Sequence, residues 1–116
     1  MTDLLELAEK MPQAQALLAG KLPEVMQGFQ SLKQAVEQGK HLSAKQRALI
    51  ALAVAVAKQC EPCLAVHLKA AWEAGASEGE IMEACSVAIL MGGGPAVAYT
   101  TLVAEALDQL SRQRGR

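Results

Sequence analysis

The stretch AKQCEPCLAVHLKAA, residues 57–71, brings Cys60, Cys63 and His67 together at a spacing that could carry thiol chemistry. On a helix, at about 100° per residue, the three side chains fall within an arc of roughly 60°. Side chains four apart are neighbours, so the imidazole of His67 can reach the sulfur of Cys63. The reactive species is the thiolate. A helix N-terminus or a nearby imidazolium draws a thiol pKa down from about 8.5. Lys58 acts in the same direction and Glu61 against it. A second thiol one turn away can attack a sulfenic acid or a mixed disulfide and close an intramolecular bond. An external dithiol then reopens it, which makes a redox cycle needing no metal or organic cofactor.

Two other readings belong to the same residues. All three can simply pack in a core, as buried cysteines often do. They can also bind zinc, with Cys85 as a distant fourth ligand, but structural zinc sites draw a second ligand pair from another knuckle and the chain holds none. Haem attachment requires histidine directly after the second cysteine, where this chain has Leu64.

The remaining candidates are weaker. Cys85 lies in the apolar run EACSVAILM and is expected to pack. His41 falls at a helix connection, Trp72 should pack, and Tyr99 should hydrogen-bond within the core. GGGP at 92–95 lacks the preceding strand and following Lys-Ser/Thr of a phosphate loop, so it reads as a tight helix–helix turn. Glu80 serves as a cap, and Glu83 is either surface or site.

The elements that must position these groups are helical, with no sustained alternation of period two. A first segment runs from Thr2 to about Leu18, with an irregularity at Met11-Pro12 and a stop at Gly20. Pro23 opens a second helix ending at Gly39. Ser43 with Gln46 forms a capping box for a third, whose ALIALAVAVA run is apolar on every face and therefore expected to be central and buried. The chain breaks near residues 58–60. Pro62 sits in the first turn of a fourth helix ending at Gly75. Ser77 with Glu80 caps a fifth, and Pro95 starts the last, which ends near Arg112. The class is all-α, about six helices in a single domain over 1–116.

Composition narrows the partners. The chain is 52% hydrophobic, yet only Phe29, Trp72 and Tyr99 are aromatic, so its core is built from small side chains. So many apolar residues on a short chain imply burial against other subunits. The formal charge of -1 gives no attraction to nucleic acid or an anionic membrane. The basic tail SRQRGR carries too few arginines to change that. Residues 84–104 carry no charge, but the glycines divide them into halves too short to span a bilayer. The acidic start MTDLLELAEK differs from a secretory signal, and the cysteine count is odd, so a soluble, cytoplasmic protein is expected.

From Leu22 to Leu110 the sequence resembles the alkylhydroperoxidase D-like group of the carboxymuconolactone decarboxylase superfamily, most specifically in CEPCLAVH, AGASEGEI and MGGGPA. The resemblance implies an all-α bundle assembled as a homotrimer or homohexamer, and thiol-dependent reduction of a hydroperoxide or disulfide. Cys60 and Cys63 become the redox pair and His67 part of a proton relay. A lipoyl or thioredoxin-like protein becomes the dithiol reductant. The family places a glutamate twelve residues before the first cysteine, and here that position is Ala48. Alkylhydroperoxidase D also tends to carry histidine just before the second cysteine, where this chain has Pro62. Glu83 or Glu61 is the candidate replacement in the relay. Cys63, the i+4 neighbour of His67, is expected to attack and Cys60 to resolve, with the reverse order open. The alternatives are a carboxymuconolactone decarboxylase-type lyase, and a non-catalytic or zinc-binding oligomeric module.

Overall fold

The structure is a computed structural model describing residues 1–114. Its helices are α1 (Leu4–Lys21), α2 (Pro23–Glu37), α3 (Ala44–Ala57), α4 (Glu61–Glu73), α5 (Glu78–Gly92) and α6 (Gly94–Arg114). The chain is an all-α bundle in which α3 packs on α4, α5 and α6, while α1 lies along α4 and reaches α6.

Local chemistry sets most helix ends. Asp3 caps α1 by accepting the N–H groups of Leu5 and Glu6. The capping boxes of Ser43 with Gln46 and Ser77 with Glu80 both form, satisfying helix-start donors that would otherwise lack partners. The connection from α2 to α3, which carries the exposed His41, is held by Arg47. Its guanidinium donates to the backbone carbonyls of Glu37, Gly39 and Leu42. At the α5–α6 turn Gly93 has φ +69, and a Cβ on Gly92 would approach that of Ala96 to 3.1 Å. A side chain at 92 would make Ala96 give way by a few tenths of an ångström, and the left-handed backbone at 93 favours glycine.

Three expectations change. Pro12 does not interrupt α1, nor does Gly20 stop it; the helix runs on to Lys21. Pro12 removes one backbone donor and crowds the carbonyl of Ala8, yet the helix continues through it. The stop comes from Leu22, which precedes Pro23 and leaves the helical region with φ -132 and ψ 63. α3 is central but not buried on every face: Leu52 and Val56 are fully buried, whereas Ile50 and Val54 are about half exposed. Among the described residues nothing covers that stripe. Tyr99 packs partly against the core and makes no hydrogen bond among the described residues.

Leu52, Leu64, Leu68, Ile81 and Leu107 are among the largest fully buried side chains, and Trp72 and Cys85 join their cluster. α2 buries none of its residues and packs chiefly on α1. The radius of gyration, 14.5 Å, accordingly exceeds the roughly 13.4 Å expected of a closed domain this long.

Candidate active site

The site begins where α3 ends. The N–H of Cys60 bonds the carbonyl of Ala55 at 3.2 Å, and that of Gln59 bonds Val56 at 3.1 Å. This paired closure stops a helix and requires a left-handed residue, which here is Gln59 at φ +59. The end of α4 uses the same device with Gly75, φ +90, in the equivalent place. Gln59→Gly relieves the steric cost and is expected to stabilise the oxidised protein by about 1 kcal/mol, read as a higher urea midpoint.

The turn delivers Cys60 as the N-cap of α4. Its sulfur accepts the N–H of Cys63 at 3.2 Å, and Pro62 occupies the first turn, where a missing N–H does no harm. Cys60 and Cys63 are joined as a disulfide, with their Cα atoms 5.2 Å apart. Both are half-buried, and Cys63 packs against the core cluster that includes fully buried Leu64. In the reduced state both sulfurs would lie at the positive end of a helix, the setting that favours thiolate.

His67 follows one turn after Cys63 and is half-buried. Burial pushes its pKa below the ordinary value, and the ammonium of Lys33 on α2 adds to that shift. Both influences favour the neutral ring, the form that can accept a proton. Ala48 is partly buried against the core and offers no carboxylate.

The two candidate carboxylates sit in different places. Glu61 is half-buried next to Cys60, and its Oε2 accepts a hydrogen bond of 3.0 Å from the hydroxyl of Thr2. Glu83 is exposed in a groove between α3 and α5 lined by Ser43, Lys45, Leu49 and Glu80. Lys45 and Glu80 form an ion pair across it at 2.9 Å. From Leu49 to the end of α3 is about 12 Å of helix, so within one chain Glu83 lies away from the cysteine end. Cys85 packs as expected: it is 0% exposed, and burial raises its thiol pKa to about 11, which leaves it unreactive. Among the described residues, no group of three or more His, Cys, Asp or Glu is arranged to hold a metal ion. No helix there is long and apolar enough to cross a membrane.

Sequence reasoning missed Thr2 and Lys33. Thr2 lies just ahead of α1 and Lys33 on α2, both far from Cys60 in the chain, and no local spacing marks either one.

Comparison with known proteins identifies the fold and the family. The crystal structure of an apo carboxymuconolactone decarboxylase family protein from Legionella pneumophila superposes with a TM-score of 0.85 at 34% identity, covering 93% of this chain and 96% of that one. An uncharacterized protein of Cupriavidus necator is 34% identical over 89 residues, 77% of this chain and 79% of its own. One from Paracoccus denitrificans, described as uncharacterized protein 4 in the cox locus, is 35% identical over 105 residues, 86% of this chain and 93% of its own. The family model for carboxymuconolactone decarboxylases matches residues 23–106, and with the shared six-helix fold this places the chain in the carboxymuconolactone decarboxylase family.

Proposed function

We propose that this protein is a thiol–disulfide redox enzyme that reduces hydroperoxides or disulfides through Cys60 and Cys63. The observation that carries the reading is the bonded cysteine pair at the start of α4, with His67 four residues after Cys63 on the same helix. His67 takes the proton of the Cys63 thiol. The thiolate attacks the distal oxygen of a hydroperoxide, breaking the O–O bond. Cys63 becomes a sulfenic acid, and the departing alkoxide receives a proton from the imidazolium. Cys60 then attacks the Cys63 sulfur, forming the disulfide and releasing water. An external dithiol, of lipoyl or thioredoxin-like type, restores both thiols and is itself oxidised. With a disulfide substrate, Cys63 forms a mixed disulfide that Cys60 resolves in the same way. A decarboxylase of the kind that names the family uses no dithiol, so the pair weighs against that reaction.

The chain is proposed to work as a homotrimer or homohexamer in the cytoplasm, where dithiol reductants operate. Exposed Val25, Phe29, Leu32 and Val36 repeat along α2 at the spacing of one helix face, which supports assembly.

The test is stoichiometric. One equivalent of hydroperoxide added to the fully reduced protein is expected to remove two of its three thiols, and peptide mapping should find Cys60 bonded to Cys63 with Cys85 free. Loss no faster than for a simple thiol would remove the peroxidase reading and leave disulfide exchange to be measured with a model disulfide.

A further inference from the structure

Thr2 and Glu61 lie 59 positions apart, yet the hydroxyl of one donates to the carboxylate of the other across 3.0 Å in a half-buried setting. Both ends of this bond are fixed independently. Asp3 caps α1 immediately after Thr2, and Leu4 and Ala8 are buried, so the segment is seated by its own helix start and by packing. Glu61 is the first residue of α4, directly after the N-cap Cys60. The family match begins only at residue 23, so α1 and Thr2 lie ahead of it.

We infer that Thr2 is a positioning residue for the cysteine pair, holding the Glu61 carboxylate beside Cys60 as a fixed negative charge. A glutamate free at a helix start samples several rotamers, and most of them place its charge in water, where it is screened. The Thr2 hydroxyl selects one orientation and occupies Oε2, leaving Oε1 open. The fixed charge opposes thiolate formation at the α4 start, where the helix terminus and Lys58, two residues before Cys60, favour it. His67 favours thiolate too, by accepting the proton. Thr2 thus tunes the pH at which the reduced pair first ionises. The inference rests on the pair being the reactive centre, but its readout does not depend on turnover.

The experiment is the pH dependence of iodoacetamide alkylation of the reduced full-length chain. Thr2→Val is expected to lower the midpoint of the first thiol by about half a pH unit, the size of one partly screened charge. Glu61→Gln should lower it at least as far, Thr2→Ser should restore the wild-type value, and Thr2→Val should add nothing in the Glu61→Gln background. Cys85 remaining unmodified reports that each variant is folded. An unchanged or raised midpoint in Thr2→Val or in Glu61→Gln overturns the inference, as does a Thr2→Val shift that persists undiminished with Gln at 61. If the wild-type protein fails to form a disulfide with peroxide while these shifts appear, the redox reading fails and the positioning role stands.

Discussion

Cys63→Ser is expected to abolish hydroperoxide reduction, lowering the rate on the order of a thousandfold or more, because a serine hydroxyl at this site has no base strong enough to replace a thiolate. Cys60→Ser is expected to behave differently. The attacking sulfur remains, so the variant consumes one equivalent of peroxide and stops as a sulfenic acid that dimedone can trap. Both arms follow from the geometry at the start of α4, where His67 neighbours Cys63 and the Cys60 sulfur accepts the Cys63 N–H. His67→Ala keeps both thiols but removes the proton acceptor, and a loss of about a hundredfold at pH 7 is the size expected of general base catalysis. Raising the pH should recover much of that loss, since hydroxide can then generate the thiolate. Should Cys63→Ser keep single-turnover peroxide consumption while Cys60→Ser loses it, the two cysteines have exchanged roles.

Much of this site was legible because it is local. Cys63 and His67 share one face of α4 by helical periodicity, and Cys60, as the N-cap of that helix, meets Cys63 through the cap hydrogen bond. The serine caps and Pro62 were readable for the same reason, since each acts on neighbours within one turn. What could not be read depends on distant parts of the chain meeting. Pro12 looks like an interruption, but the stop after Lys21 is imposed by the residue preceding Pro23. The run ALIALAVAVA looks buried throughout, but a single chain supplies partners for only part of its surface, and Ile50 and Val54 stay uncovered. Glu61 adjoins Cys60 in the sequence, but its bond to Thr2 and the seating of Glu83 in a groove nearer the start of α3 come only from the fold.

Leu64→Ala is expected to have the largest effect on stability. Leu64 is 0% exposed, adjoins Cys63 in the sequence and belongs to the main cluster against which Cys63 packs. Truncating such a side chain removes its burial and leaves a cavity, together costing about 2–5 kcal/mol. For a domain of this size that is a large part of the total, so denaturant unfolding should show a sharply lowered midpoint. Val54→Ala, on the same bundle but 48% exposed in the single chain, should cost under about 1 kcal/mol in dilute protein. A Leu64→Ala loss as small as that of Val54→Ala would mean that the core does not run beneath the pair.

The hairpin of α3 and α4 also sets an order of events during folding. Its closure at Gln59 and Cys60 joins residues close in sequence, so little chain entropy opposes it. Cys60, Cys63 and His67 reach their places as soon as that hairpin forms. The Thr2 to Glu61 bond spans more than half the chain and closes only when α1 docks on α4. A chain still completing its fold therefore carries a competent dithiol before it carries the restraint on that dithiol.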